Sequence, residues 1–353
     1  MTTRWDEVQR WLSAIAQTDP TPHRGALSPE GIREGVRAAL AALSPEAIAQ
    51  VAALPGRPWP RATLVTTATV PTAALEWLAL LIGRGSEVVW KYPSGDPGLA
   101  KVWGALAADL PLRVTPDRDG VLDTDVVIVL GSDRTVAQIR SSAPPGTTVF
   151  GHGHGWSCAW ITGRALGPDD ALPSDLQDGW DRLAADAALY DGRGCLSPAI
   201  VFTPTPLPEA MDALADAMER AARHWPTGQI FEAEAGLERS RRALARVVGQ
   251  KRRGTGWSLH GLSIDHVSPI ALPRSLAVVE VADIETATRC AAAWGRSLST
   301  VGTDDPAASS SWHDAGAGRV CPLGRMQRPP LHRVHDGAWW VYQTFQAVGT
   351  ERA

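Results

Sequence analysis

The alternation of strand-like and helix-like runs that begins at Arg61 restricts this chain more than any other feature. "ATLVTTATV" is β-rich, "PTAALEWLALLIGRG" is helical with a glycine stop, "SEVVWK" is again strand-like and "DPGLAKVWGALAADL" helical. "DVVIVLGS" then reads as a buried strand and "DRTVAQIRSSA" as the helix after it. Parallel strands need a long crossover, usually a helix, between them. The pattern therefore predicts a doubly wound, largely parallel sheet, with ligands at the carboxyl ends of its strands.

A second α/β block is predicted from about residue 178. "GWDRLAADAALYDGRG" is a helix with a glycine stop, "PAIVFTP" a strand, and residues 208–224 and 229–249 carry helical patterns. "SLAVVEVAD", "IETATRCAAAWG" and "SLSTVGT" repeat the strand-helix-strand rhythm, "TDDPAASSSWHDAGAG" reads as a loop, and "WWVYQTFQAV" reads as a strand. Ahead of both blocks, "SPEGIREGVRAALAAL" and "SPEAIAQVAAL" each open with a capping serine, a first-turn proline and a glutamate, so they predict short helices. A chain of 353 residues is long enough to split into two cores.

Composition narrows the partners. A formal charge of -4, with both signs mixed along the length, gives no basic stripe for nucleic acid or an anionic membrane, so a small-molecule partner is expected. The amphipathic start "MTTRWDEVQRWLSAIAQ" is unlike a signal peptide, and no segment reaches membrane-span length. Cys158, Cys195, Cys290 and Cys321 are far apart and form no CxxC, which argues against a metal site or a disulfide framework and for a reducing, cytoplasmic setting.

Several stretches carry candidate chemistry. In "ALYDGRGCLSP", Cys195 follows a Gly-Arg-Gly turn that leaves its sulfur uncrowded, as a nucleophile needs, with positive potential expected from Arg193 or backbone N–H groups. A buried apolar cysteine beside a turn fits the same letters. Lys91, in "VVWKYPSGDP", is one of three lysines, with Lys101 and Lys251, among 34 basic residues. At a strand's carboxyl end its ammonium suits a ribose hydroxyl or a 2′-phosphate, although an ordinary strand-end lysine is equally open. Gly131 and Ser132 precede a helix whose N–H groups suit a pyrophosphate, but "VIVLGSDRTV" is not a GxGxxG motif. His152 and His154 in "FGHGHGWS" read as turn residues between two strands. "RVCPLGRMQRPPLHRVHDG" reads either as a basic phosphate-receiving loop or as a stiffened linker.

Taken together, "TATVPTAALEWLALLIGRGSEVVWKYPSGDP", "DVVIVLGSDRTVAQIRSSAPPGTTVFGHGHGWS", "LAADAALYDGRGCLSP" and "GRVCPLGRMQRPPLHRVHDG", in that order over roughly residues 60 to 340, resemble the LuxC-type acyl-CoA reductases of the aldehyde dehydrogenase superfamily. The resemblance implies an aldehyde-dehydrogenase-like α/β fold of two doubly wound domains. It sets a helical N-terminal segment at 1–60, an NAD(P)-binding domain at 61–165, a catalytic domain at 166–310, and a C-terminal segment at 311–353 that returns to the site and offers an oligomer contact. It further implies NADPH-dependent reduction of an acyl thioester, on coenzyme A or a carrier protein, to an aldehyde, with CoA as leaving group; the alternatives are an NAD-dependent aldehyde dehydrogenase, a cysteine acyltransferase or thioesterase, and a non-catalytic subunit of a reductase complex. An acyltransferase or synthetase partner and a homo-oligomer belong to the same expectation. Cys195 maps onto the family nucleophile; Lys91, with Ser94 close behind it, and Gly131-Ser132 map onto the cofactor contacts.

The departures are as informative. Where the superfamily places an asparagine to hold the oxyanion, this chain has Thr69, a shorter donor, and loss of such a donor costs roughly 100- to 1000-fold elsewhere. The region from Ser142 to Thr162 holds no Asp or Glu to activate water, which disfavours release of a free acid; His152 is the residue there expected to donate a proton. "LPRSLAVV" stands where the superfamily carries its Glu-Phe-Gly-Pro ribose clamp.

Overall fold

The computed structural model describes residues 3–23, 25–94, 98–295, 298–335 and 338–346, with the backbone alone at 247 and 248. Three helices open the chain: α1 (Arg4–Ala16), α2 (Pro29–Ala42) and α3 (Pro45–Ala52). Thr3, Ser28 and Ser44 cap them by accepting from the N–H groups of Asp6, Gly31 and Ala47, donors that the first turn cannot satisfy internally. Pro29 and Pro45 sit in the first turn, where a missing N–H costs nothing.

After the short β1 (Arg57–Pro58) come β2 (Arg61–Val65), α4 (Ala73–Arg84), β3 (Glu87–Lys91), α5 (Ala100–Leu106), β4 (Leu112–Thr115), β5 (Val126–Leu130), α6 (Asp133–Ser142) and β6 (Thr148–His152). The strands form a five-stranded parallel sheet in the order β4-β3-β2-β5-β6, so the winding reverses between β2 and β5. A crevice outside the strand ends forms at such a reversal. Helix α4 is buried on all sides from Ala74 to Gly83, because α1 and the C-terminal segment cover the face that the sheet does not. It ends at Gly85, whose φ of 106° is the left-handed cap that glycine adopts at little cost.

The chain crosses to its second sheet at residues 153–155. β7 (Trp156–Trp160) pairs with β8 (Pro198–Thr203) and β12 (Leu298–Thr303), so this strand lies in the second sheet although the border was expected at 165. The sheet is completed by β9 (Gln250–Gly254), β10 (Trp257–Gly261), β11 (Ser275–Glu280) and β13 (Arg319–Pro322). Its seven strands run β13-β12-β7-β8-β11-β10-β9, with β9 antiparallel to its neighbour. α7 (Gly179–Ala188) and α8 (Leu207–His224) share one core with this sheet; α9 (Glu232–Val248), α10 (Ile284–Ala292) and α11 (Ser309–Asp314) contribute to the other. β13 also carries part of the expected C-terminal segment into this sheet.

Two stretches differ from the pattern-based expectation. Ser309–Asp314 is a helix rather than loop, anchored by fully buried Trp312. "WWVYQTFQAV" is not one strand: β15 (Ala338–Trp339) pairs with β14 (Val334–His335), a 3-10 turn covers Trp340–Thr344, and β16 (Phe345–Gln346) pairs with β1. Trp340 and Val341 enter the core of the first sheet from this segment, and packing there overrides the local strand propensity.

Candidate active site

Cys195 lies between α7 and β8, in a turn closed by the Ser197 N–H donating to the Gly194 carbonyl at 3.0 Å. The backbone entering this turn is unusual. Tyr190, Asp191 and Gly192 have φ of 56°, 55° and 69°, three left-handed residues in succession. For the two that carry a Cβ this costs about 1–3 kcal/mol each, so surrounding contacts must hold them.

Those contacts are identifiable. The Tyr190 hydroxyl donates to the Gly35 carbonyl at 3.0 Å and therefore accepts from Thr72, 2.7 Å away, tying the turn to α2 and to the start of α4. Burial pushes this phenol up to about 12, so it stays neutral. Gly35 is required here, since a Cβ would stand 2.7 Å from the tyrosine ring. The Asp191 carboxylate bridges Arg274 at 2.8 Å and Arg193 at 3.2 Å, and accepts from the Gly228 N–H at 3.2 Å. Arg193 was expected to lend the cysteine positive potential. Its guanidinium instead pairs with Glu234 at 2.8 Å as well as with Asp191, so its charge is matched and its work is architectural.

The far side of the turn is held by sequence-distant segments. Ser157, at the start of β7, donates to the Cys195 carbonyl at 2.6 Å and accepts from the Thr300 N–H at 3.1 Å. Gln327 donates its amide to the Ser197 hydroxyl. The loop carrying Gln327 hangs on Asp186 of α7, which accepts from the N–H groups of Gly324, Met326 and Gln327 at 2.6, 3.1 and 3.4 Å. Burial pushes Asp186 up to about 6 against those hydrogen bonds and the charge of Arg328. Arg319 ties the same loop down by donating to the carbonyls of Met326 and Arg325 at 2.7 and 3.1 Å. Burial also drives the Cys321 thiol to about 11, so it stays protonated.

Val70 closes the constellation: a Cβ on Gly194 would stand 3.2 Å from its methyl group. Thr69 is the residue before Val70 in the chain. It is exposed, and its hydroxyl shares a hydrogen bond of 2.8 Å with Thr67. Three motifs that lie far apart in the chain, around Val70, Gly194 and Gln327, therefore meet at Cys195.

The expected cofactor residues gather at the strand ends of the first sheet. Lys91 closes β3, is buried, and donates from Nζ to the Tyr92 carbonyl at 2.9 Å. Desolvation, reinforced by Arg118, lowers its pKa, a condition that an anionic group would relieve, and an ammonium has three N–H donors. Ser132 caps α6 by accepting from the Thr135 N–H, and the Gly131 N–H donates to the His152 carbonyl at 3.0 Å. Ser94 is exposed and bonds the Pro116 carbonyl at 3.2 Å. A small hollow is lined by Thr66, Thr67, Trp90 and Tyr92 together with His23 and Gly25 of the N-terminal segment. A parallel sheet end, a buried ammonium and a capped helix start fit a dinucleotide phosphate.

His152, expected as a proton donor, stands at the end of β6 in a different setting. Its Nε2 meets the Gln343 side chain at 2.9 Å, and its ring stacks on His335 at 4.7 Å beside Trp77. Asp186, Gln327, Ser157 and Arg274 escaped the sequence reading. All four lie within the quoted stretches, but their hydrogen bonds join residues far apart in the chain, which no spacing reveals.

Solved structures similar to this one are aldehyde dehydrogenases. Aldehyde dehydrogenase 21 from Physcomitrella patens, in complex with the reaction product succinate, aligns over 97% of this chain and 84% of its own, with a TM-score of 0.72 at 13% identity. A putative aldehyde dehydrogenase from Burkholderia cenocepacia aligns over 98% and 86%, with a TM-score of 0.73 at 11% identity. An NAD-dependent aldehyde dehydrogenase from Sinorhizobium meliloti aligns over 90% and 74%, with a TM-score of 0.66 at 16% identity. At these identities the likeness establishes the fold. No curated protein matches the sequence. The acyl-CoA reductase (LuxC) family profile matches residues 118–343, from the first sheet through the cysteine turn to the C-terminal loop. The chain belongs to the LuxC acyl-CoA reductase family, and it is an oxidoreductase acting on acyl and aldehyde groups.

Proposed function

We propose that the protein reduces an acyl thioester to an aldehyde with NADPH, through an acyl-enzyme on Cys195. The observation that carries this reading is the meeting of the Val70, Gly194 and Gln327 segments around a cysteine whose turn is held by long-range contacts. A buried structural cysteine needs no such enclosure.

The Cys195 sulfur, as thiolate, attacks the acyl carbonyl carbon; the carrier thiolate leaves with the electron pair of the broken C–S bond. One thioester replaces another, so the protein's task is positioning and charge stabilisation. Thr69, the residue before Val70, and the Cys195 backbone N–H are the donors assigned to the oxyanion. Ser157 and Gln327 fix the turn on either side of the sulfur. Lys91, Ser94, Gly131 and Ser132 would hold the dinucleotide, with the Lys91 ammonium toward ribose or a 2′-phosphate. When bound, the nicotinamide supplies hydride, two electrons, to the acyl carbon. Collapse of the resulting thiohemiacetal releases aldehyde and returns the pair to sulfur. The absence of any carboxylate between Ser142 and Thr162 supports keeping water out of the acyl-enzyme's chemistry.

The test is a panel of acyl-CoAs with NADPH and with NADH, following nicotinamide absorbance and trapping labelled acyl-enzyme. The expected result is a label on Cys195 and oxidation of NADPH. Turnover of aldehyde and NAD to free acid, with no thioester activity, would overturn the reading.

A further inference from the structure

Away from the cysteine turn, a cavity of about 640 Å³ opens between α2, residues 318–334 and Trp339. It falls within the size range of small-molecule sites, and its charged walls are of one sign. Arg37, Arg319, Arg325, Arg328 and Arg333 line it, with His313 and His332, and no Asp or Glu among the described residues contributes to the wall. Glu34, Glu76 and Asp169 pair with Arg37, Arg328, Arg333 and Arg325 from behind. Arg319 has no carboxylate partner among the described residues. It is 9% exposed, and its Nε and Nη1, like Nε of Arg328, are buried without a hydrogen-bond acceptor there. Buried donors of this kind call for an anionic acceptor.

The mouth adds a second chemistry. Trp339 is 47% exposed and stacks on His332 with ring centroids 4.5 Å apart, a flat platform on which a base can lie. Arginines for phosphate beside a platform for a base are the requirements of a phosphorylated nucleoside. The cavity also shares a wall with the reaction site: Arg325 and Arg328 flank Gln327, which holds Ser197 beside Cys195.

We propose that this cavity receives the 3′-phosphoadenosine diphosphate end of the acyl-CoA substrate, apart from the dinucleotide crevice of the first sheet. The proposal rests on the acyl-thioester reading of Cys195. Its test does not depend on catalysis. The Cys195→Ala protein, saturated with NADPH so that the crevice is filled, is titrated calorimetrically with 3′,5′-ADP, desulfo-CoA and inorganic phosphate. The two nucleotides should bind and phosphate should bind far more weakly. Arg37→Gln with Arg325→Gln, both exposed side chains, should weaken the nucleotides about tenfold or more. If that double variant fails to fold, Trp339→Ala should weaken 3′,5′-ADP while sparing phosphate. Equal affinity for phosphate and nucleotide, nucleotide binding unmoved by these variants, or no nucleotide binding would overturn the proposal. Arginine-dependent nucleotide binding, beside a wild-type protein that takes no acyl label on Cys195, would keep the pocket and sink the reading of Cys195.

Discussion

The two ends of the crevice are built on opposite principles. On the first sheet, the groups proposed to hold the cofactor are held within their own sheet: Ser132 caps its own helix, Lys91 bonds the next carbonyl, and Gly131 meets the adjoining strand. At the cysteine turn the contacts are remote: Tyr190 reaches Gly35, Asp191 reaches Arg274, and Gln327 reaches Ser197. A strained nucleophile turn needs a surrounding structure that over-determines it, whereas a strand-end phosphate site follows from the sheet itself. The cysteine turn should thus be the part whose loss propagates.

The largest expected effect tests which end does the covalent chemistry. Cys195→Ala should lower thioester-dependent NADPH oxidation by about a thousandfold or more while leaving cofactor binding intact. Steady-state assay beside fluorescence titration of NADPH checks it, and retained turnover removes the cysteine from the mechanism. Next, Asp191→Ala leaves the buried Arg274 guanidinium without its carboxylate and Arg193 with Glu234 alone, and should destabilise the protein by about 3–5 kcal/mol, read as a shift of the urea midpoint. A change as small as that of a helix cap would show that the turn is not held as described. Lys91→Ala should weaken NADPH by about tenfold, with little change in acyl transfer in a single-turnover label experiment; unchanged NADPH affinity would take the lysine out of the site. Ser132→Ala is expected to cost about 1 kcal/mol, the ordinary loss of an N-cap, in the same urea titration.

Two buried carboxylates of the second domain sharpen the contrast through pH. Asp186 is pushed up to about 6 by burial, so below that pH the native protein takes a proton that the unfolded chain, near 3.8, does not yet take. Its contribution to stability therefore improves as pH falls from 7 toward 4, and wild type should gain on Asp186→Asn over that range. Glu238 is opposed by burial yet held near 2 by hydrogen bonds from His260, Ser258 and Ser275. Its contribution is full above 4.5 and drains away toward 2, so wild type should lose ground to Glu238→Gln only there. Urea midpoints at stepped pH separate the two signs.

The same contrast explains what the sequence makes legible. The strand-helix rhythm from Arg61 locates the first sheet because it is carried by contiguous residues, and the glycines around Cys195 mark the turn for the same reason. The role of Arg193 is not legible: an arginine beside a cysteine reads as a field, and only the fold brings Glu234 and Asp191 to neutralise it. His152 is similar, for its neighbours Gln343 and His335 arrive from the far end of the chain. β9, "QKRRG", has no apolar face to announce it and forms as an edge strand beside β10.

The pairing of β1 with β16, reinforced by Trp59 donating to the Gln343 carbonyl at 3.0 Å and Arg84 lying 4.0 Å over the Phe345 ring, sets an order of events on the ribosome. The five strands of the first sheet emerge early, but Leu331, Trp340 and Val341, which complete their core, are made last. At bacterial or eukaryotic elongation rates of about 5–20 residues per second, the nascent sheet must wait on the order of ten to forty seconds with that flank open. Through this interval the N-terminal helices are its cover, and a chaperone that binds apolar surface has its window.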